Sequence, residues 1–262
     1  MKKIENIPEV KPLTKIKKEV TLLKPQRSET PLPFSISKMG GTPNLNLFEK
    51  WPKCDVCSQP LNFVLQIYKN DFPEFYFPEN TNIFLLFRCP NYFCKAAFSD
   101  KSDLKMFWFY GNVDTRENNV VEKPECTVED PEEQMPDCSF HPLKTTDYPN
   151  YGEQMEKWEK FDKKYGEDID IVDAFMSKYQ PQIGAKINGF PDWIEKPKYP
   201  VCTCGNTKQF FFQLSSEEYE EGEENPIEWP PYAEVIGECG NLYFFVCKEC
   251  GPESIETICE FY

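Results

Sequence analysis

The sequence contains one segment twice, and this duplication constrains the fold more than any other feature. The segment Lys-Met-Gly-Gly-Thr-Pro begins at Lys38, and Lys-Ile-Asn-Gly-Phe-Pro begins at Lys186. Each lysine is followed 16 residues later by a cysteine, Cys54 in the first copy and Cys202 in the second. Because apolar stretches and further cysteines then follow in the same order, we expect two copies of one structural unit.

Aromatic and aliphatic stretches within both copies predict β-strands. Residues 61–68, 82–87 and 106–110 of the first copy are rich in residue types that favour buried strands. The second copy repeats the first two stretches at residues 210–214 and 242–246. We therefore expect an antiparallel β unit in each copy.

A helical segment is predicted between the two copies. Met155, Trp158, Phe161 and Tyr165 recur at spacings of three and four residues, and residues 169–179 repeat the pattern after a glycine. We expect the apolar faces of both helices to pack on the β core, with a partner-binding groove as the alternative. The predicted fold class is α+β and β-rich, with two tandem antiparallel β units joined by a helical segment.

Composition and repeat boundaries divide the chain into five parts. The first part is rich in Lys and Pro, and the third is acidic and interrupted by prolines. The predicted parts are a flexible basic arm at 1–33, a first β/zinc repeat at 34–115, an acidic Pro-rich linker at 116–150, a helical segment at 151–182 and a second β/zinc repeat at 183–262.

Four cysteines in each copy have the arrangement of zinc ligands. Two cysteines on a tight turn span one side of a zinc tetrahedron, and a second pair completes it. A closed set of four thiolates leaves no position for substrate, which predicts two structural zinc ions; buried free cysteines are the alternative. The predicted ligands are Cys54, Cys57, Cys89 and Cys94 in the first copy, and Cys202, Cys204, Cys247 and Cys250 in the second.

Two details of the cysteine pattern qualify this interpretation. The pair Cys202 and Cys204 is one residue shorter than the usual spacing, so its turn is less favourable for zinc. Cys126 and Cys138 with the nearby histidine could form a third site, but a fourth ligand is missing. Cys239 and Cys259 flank strands of the second copy, and we expect both in the core.

Charge and cysteine content indicate the compartment and the class of partner. The chain has 44 acidic and 29 basic residues and a net charge of −15. This charge favours a basic protein partner, with a merely solvated surface as the alternative, and it disfavours nucleic acid as a partner. Twelve cysteines without a secretion signal predict a reducing compartment, hence the cytoplasm, with the nucleus left open. No apolar stretch approaches the roughly 20 residues that span a bilayer, so no membrane association is expected.

The second copy contains an acidic insertion that the first copy lacks. Residues 215–228 carry seven glutamates and no basic residue, and they lie between two predicted strands. This composition predicts an acidic surface loop.

Sequence signals of catalysis are weak. His141 is the only histidine and lies in a proline-rich stretch, whereas nucleophilic triads need a rigidly placed histidine. Gly40, Gly41 and Gly189 do not precede the Lys-Ser or Lys-Thr of a phosphate loop. We therefore expect no enzymatic activity.

The motifs resemble two known families. Lys38-Met-Gly-Gly-x-Pro43, the cysteine pair that follows it and Gly189-Phe-Pro191 are similar to the YwqG-like family, which has a β-rich fold and no assigned function. The two Gly-x-Pro units, each followed by cysteine pairs and a Gln-aliphatic strand, also resemble the programmed-cell-death-2 family. Members of that family act as chaperones for a basic small-subunit ribosomal protein. This second resemblance implies an escort function, although the sequence departs from the family pattern at Cys202 and after Tyr68.

Three functions are consistent with these observations. The first is a non-enzymatic, zinc-stabilised protein-interaction module, an escort or chaperone for a basic client protein. The second is an enzyme or small-ligand binder with a site in the cleft between the repeats, near Gln66 and Gln213. The third is a structural subunit of a larger assembly, anchored by the N-terminal arm.

Overall fold

Two antiparallel sheets of six strands each form the body of the protein. The structure is a computed structural model that describes residues 4–91, 94, 104–111, 124, 136–216 and 240–261. Within these residues the strands are β1 (Lys18–Leu22), β2 (Pro25–Arg27), β3 (Lys38–Met39), β4 (Asn62–Tyr68), β5 (Ile83–Arg88), β6 (Leu104–Phe109), β7 (Cys138–Phe140), β8 (Leu143–Asp147), β9 (Lys186–Asn188), β10 (Gln209–Ser215), β11 (Gly240–Cys247) and β12 (Gly251–Phe261). The first sheet has the strand order β2-β7-β3-β4-β5-β6, and the second has the order β12-β11-β10-β9-β1-β8.

The predicted duplication is visible in the pairing of the strands. Strands β3 to β6 are consecutive neighbours in the first sheet, and β9 to β12 are consecutive neighbours in the second. Gln66 of β4 lies opposite Lys38, and Gln213 of β10 lies opposite Lys186, so the two copies share one register. The predicted fold class, β-rich α+β with two units, is thus confirmed.

The remaining four strands extend the repeat, and one strand of each unit lies in the sheet of the other unit. Leu22 of β1 pairs with Lys186, just as Ser139 of β7 pairs with Lys38. Strand β1 leads through Lys24-Pro25 into β2, and β7 leads through His141-Pro142 into β8. Both connections pass from one sheet to the other, because β1 and β8 lie in the second sheet and β2 and β7 lie in the first. Each unit therefore contains six strands, and its first strand completes the sheet of the other unit.

This exchange corrects two parts of the predicted organisation. The N-terminal segment is not a flexible arm in its described part, because β1 is hydrogen-bonded on both sides within the second sheet and Val20 and Leu23 are buried. The predicted linker likewise contains β7 and β8, and its residues 116–123 and 125–135 lie outside the described part. These strands pair with segments that are distant in the sequence, so no local sequence pattern predicts them.

The two sheets share one apolar core. Phe84 and Leu86 of β5 and Phe212 and Phe244 of the second sheet are fully buried in one cluster, with Phe75 packing against both sheets. Smaller clusters cover the outer faces, around Phe87 on the first sheet and around Tyr243 and Phe245 on the second. The space between the repeats is therefore filled with side chains in the described residues.

The predicted helices form, but they pack differently from the expectation. Phe161 and Phe175, from the two predicted helices, are buried with Val10 and Leu13 of the N-terminal segment, in a cluster separate from the β core. The helices therefore cover the N-terminal segment instead of lying on the sheets. The helices are α1 (Val10–Leu13), α2 (Met155–Tyr165) and α3 (Ile169–Met176), with short 3-10 helices at Ile4–Asn6, Leu45–Leu47 and Tyr151–Gln154.

Candidate metal centres

The four cysteines of the first copy converge at one end of the first sheet. The Sγ atoms of Cys54 and Cys94 are 3.8 Å apart, those of Cys57 and Cys89 are 3.6 Å apart, and all four lie within 4.8 Å of one another. Zn–S bonds of about 2.3 Å in a tetrahedron place sulfur atoms about 3.8 Å apart. The spacing therefore fits a tetrahedral thiolate site.

A turn between two short paired segments positions the first cysteine pair. Lys53 and Pro60 form an isolated β-bridge, and the backbone N–H of Cys54 donates to the carbonyl of Gln59. Inside the turn, the N–H of Val56 donates to Cys54 Sγ over 3.4 Å. The bridge and these two hydrogen bonds fix the turn that carries Cys54 and Cys57.

The second copy builds the same arrangement with a shorter turn. The Sγ atoms of Cys204 and Cys247 are 3.6 Å apart, and the four sulfur atoms of this copy also lie within 4.8 Å of one another. The bridge closing this turn joins Val201 and Thr207, one residue fewer than the corresponding bridge of the first copy. The missing residue is thus removed from the turn itself, where Gly205 has φ +89°, and the four sulfur atoms still converge.

The electrostatics of each cluster oppose the accumulation of negative charge. A backbone N–H of Gln59 lowers the pKa of Cys57 to about 7, and a backbone N–H of Cys204 lowers the pKa of Cys202 to about 6. In contrast, burial raises the pKa of Cys89, and hydrogen bonding with Cys204 and Cys202 raises the pKa of Cys250 to about 12. One thiolate is stabilised in each cluster, and a set of four thiolates requires a bound cation.

The two clusters differ in exposure. Cys54, Cys89 and Cys94 are buried and Cys57 is partly buried, whereas Cys204 and Cys250 of the second cluster are exposed. The structure thus brings together each predicted set of four, and both sets could hold a metal ion. That the metal is zinc stays a prediction.

Comparison with known proteins identifies the family. A family model described as a domain of unknown function, DUF1963, matches residues 37–250. The chain belongs to this family. The match agrees with the resemblance to YwqG-like proteins, which are members of DUF1963, while the resemblance to the programmed-cell-death-2 family stays a prediction.

A curated protein is similar over a shorter stretch. The uncharacterized protein YpfL of Salmonella typhimurium is 37% identical over 73 residues, which is 28% of this chain and 14% of YpfL. This chain thus matches only a small part of that relative. The DUF1963 match, by contrast, covers both cysteine clusters.

The lysine and glycine of the repeated motif have a shared structural function in the DUF1963 stretch. Lys186 is fully buried, and its Nζ contacts Asp147 Oδ2 at 3.3 Å. A Cβ atom on Gly189, which has φ +78°, would lie 2.2 Å from the same carboxylate oxygen. In the first copy Lys38 contacts Asp137 at 2.8 Å, and the motif glycine again makes room for the carboxylate. The motif therefore encloses an ion pair, which is fully buried in the second copy and has a fully buried lysine in the first.

The repeated glutamines are hydrogen-bonded to the loops that contain the Gly-x-Pro motifs. Gln66 Oε1 accepts from the N–H of Asn44 over 2.9 Å, and Gln213 Oε1 accepts from the N–H of Asp192 over 2.9 Å. The Nε2 groups donate to loop carbonyls, among them that of Gly184. Both glutamines are fully buried and their amides are used within the fold. The sequence pattern pointed to these residues but not to this latch, which their similar distances from the motif lysines, 28 and 27 residues, could have suggested.

The remaining cysteines do not join a metal cluster within the described residues. Cys138 is buried in the main core and Cys259 packs against that core, as expected for Cys259. His141 is exposed and its Nε2 lies 3.1 Å from the hydroxyl of Ser139. Cys138 and His141 belong to no group of three or more potential ligands among the described residues. Cys126, the other member of the third site considered from the sequence, and Cys239 fall outside the described residues.

Among the residues that the structure describes, no helix is both long and apolar enough to cross a bilayer.

Proposed function

We propose that this chain is a non-enzymatic, zinc-stabilised protein-interaction module that binds a basic client protein. The observation that carries the proposal is the closed set of four cysteine sulfur atoms in each copy, within 4.8 Å of one another. Catalytic zinc sites usually retain an open coordination position, and a set of four protein thiolates offers none. The metal ions would therefore stabilise turns at the ends of the sheets.

The charge of the chain supports a basic client. The net charge is −15, and the acidic segment at residues 215–228 contains seven glutamates. A strongly acidic surface attracts basic segments over a distance that depends on ionic strength. The resemblance to the programmed-cell-death-2 family points to the same class of client.

The alternatives receive less support from the described residues. The apolar core packs between the repeats, and the amides of Gln66 and Gln213 are occupied within the loops, so these residues give little support to a ligand site in a cleft between the repeats. A structural subunit anchored by its N-terminal arm would need that arm to be free. The described part of that segment instead pairs with β8 and β9 of the same chain.

Affinity capture from the cells of origin tests the proposed function. The tagged full-length chain is captured at low and at moderate salt, and bound proteins are quantified by mass spectrometry. We expect one stoichiometric basic partner that is weakened by salt. The partner is then made as a pure protein, and its affinity is measured directly.

Two matched variants separate specific recognition from general charge. Changing the six glutamates within residues 217–224 to glutamine should weaken client binding. The control changes the exposed Lys160 and Lys163 of α2 to glutamine and should not weaken it, because it makes the chain more acidic. If no basic partner is recovered, or if both variants bind it as the wild type does, the proposal is wrong.

A further inference from the structure

A groove of about 260 Å³ opens beside the Gly-x-Pro loop of the first copy. Leu32, Phe34 and Leu45 line it together with two prolines, and Thr42 and Asn46 provide its polar groups. Phe34 is 47% exposed although it is a large hydrophobic residue. None of the described residues that line the groove is charged.

The second copy provides an internal comparison for this groove. The N–H of Asn44 and the N–H of Asp192 make the same hydrogen bond to the equivalent glutamines, so these two residues occupy equivalent places. Two residues before them, Thr42 in the first copy corresponds to Phe190 in the second. The loops are therefore similar in backbone position and differ in the side chain that borders the groove.

The loop of the second copy carries its own aromatic ring. Phe190 is only 6% exposed, and Lys18 Nζ lies 4.0 Å from the centre of its ring. Pro181 of the second copy is buried as well, whereas the equivalent Pro33 of the first copy is exposed. In the first copy Thr42 is small and exposed, and the groove lies beside it. The second loop thus carries a buried aromatic ring at the position where the first loop carries the exposed Thr42.

The size and lining of the groove limit the occupant further. Sites for drug-sized ligands have volumes of about 300–1,000 Å³, so this groove is small for a metabolite or nucleotide. The described lining residues offer no charged group to a phosphate or carboxylate ligand. A single aromatic side chain, which buries about 150–250 Å² and often anchors protein interfaces, fits both the size and the lining.

We infer that the groove binds an aromatic side chain of a partner protein beside Thr42, the loop position at which the second copy carries its own aromatic ring, Phe190. The inference rests on the proposed function, because it names the anchor through which the interaction module holds its client. The client would present the aromatic residue within a basic segment, so that the acidic surface attracts the segment and the groove fixes its position.

A titration followed by NMR tests the groove without knowledge of the client. The full-length zinc-loaded protein, labelled with ¹⁵N, is titrated with N-acetyl-tryptophanamide and, as a matched probe, with N-acetyl-glycinamide. We expect saturable shifts of the amide signals of Thr42, Leu45 and Asn46 with the aromatic probe only. Absence of saturable shifts at these three residues would overturn the inference.

Three variants test whether the probe binds in the groove. Thr42→Phe copies the side chain of the second loop and should weaken probe binding by roughly tenfold or more, since the new ring removes the contact area of the probe. Thr146→Phe makes the same change at an exposed position of β8 and should bind the probe as the wild type does. Phe34→Ala, which removes the exposed wall of the groove, should also weaken binding and serves if Thr42→Phe does not fold.

The outcome also separates the inference from the proposed function. If the purified basic client binds Thr42→Phe with unchanged affinity, the groove is not its anchor, and the module function stands. If the probe binds in the groove but no basic client exists, the client part of the inference fails together with the proposed function. If proline-rich peptides shift these signals and N-acetyl-tryptophanamide does not, the aromatic occupant is wrong.

Discussion

Replacing Asp147 by alanine tests the buried ion pair that holds the second Gly-x-Pro loop. Its carboxylate is fully buried and contacts Lys186 Nζ at 3.3 Å. It also accepts from the backbone N–H groups of Gln182 and Phe190, over 2.6 and 2.7 Å. The side chain thus connects the end of β8, the segment before β9 and the motif loop.

The structure gives the size of the expected effect. Removing one partner of a buried ion pair leaves an uncompensated charge and typically costs about 3–5 kcal/mol. Because Lys186 has no exposed surface in the fold, we expect Asp147→Ala to lie within that range. A loss of about 4 kcal/mol lowers the melting temperature of a protein of this size by roughly 10 °C.

Denaturant unfolding of the zinc-loaded protein, followed by circular dichroism, measures the effect. Thr146→Ala, at the exposed neighbouring position, should stay within about 0.5 kcal/mol of the wild type. The double variant Asp147→Ala with Lys186→Met should be more stable than Asp147→Ala alone, since no unpaired charge remains, but less stable than the wild type because backbone N–H groups lose their acceptor. If Asp147→Ala unfolds at the same denaturant concentration as Thr146→Ala, the reasoning is refuted.

Three further predictions follow from the site and the fold. The purified chain should hold two zinc equivalents by elemental analysis. A chelator should remove the zinc of the second copy first, because Cys204 and Cys250 are exposed. Release rates are compared in the Cys54→Ser and Cys202→Ser variants, each of which retains one intact cluster, and equal rates would contradict this prediction. Deleting residues 1–27 should abolish cooperative thermal unfolding, because the second sheet loses β1 and the first sheet loses β2. Removal of a free arm would leave the melting curve unchanged. Gln213→Ala should cost about 1–3 kcal/mol in urea unfolding, since it leaves the buried N–H of Asp192 without its acceptor, and a smaller loss would argue against the latch.

The sequence predicted the elements that carry strong local patterns. The aromatic stretches became β4 to β6, β10 and β11, and the residues around Trp158 and Phe175 became α2 and α3. These patterns are reliable because period and residue type both reflect the burial of one face or of a whole strand. The cysteine spacing was equally informative, since the structure brings both predicted sets of four sulfur atoms together.

The exchanged strands could not be predicted from local patterns. β1 begins with the exposed Lys18 and Glu19, and β7 has three residues, so neither shows a recognisable alternation. Their stability comes from pairing with strands that are distant in sequence. The only signal was a second, weaker repeat, in which Lys24-Pro25 and His141-Pro142 occupy equivalent turns between the sheets.

The packing of α2 and α3 illustrates a related limit. Their amphipathic patterns show that each buries one face, but not which surface covers that face. The covering segment contains α1, a helix of four residues whose Val10 and Leu13 are both buried. A helix so short has no periodicity to detect, and its role emerges only from the tertiary contacts.

The comparison of the two copies separates what the scaffold needs from what binding needs. The buried lysine, the motif glycine, the latching glutamine and the four cysteines occur in both copies, because both sheets require the same closure. Each lysine also contacts an aspartate, although Asp137 precedes β7 and Asp147 ends β8. Thr42 and Phe190 break this equivalence, since one loop is open and the other carries its own ring. A client anchored through such a groove can use only the first copy, so the complex should contain one client for each chain. Analytical ultracentrifugation of the purified complex measures this ratio, and two clients for each chain would show that the second copy also binds.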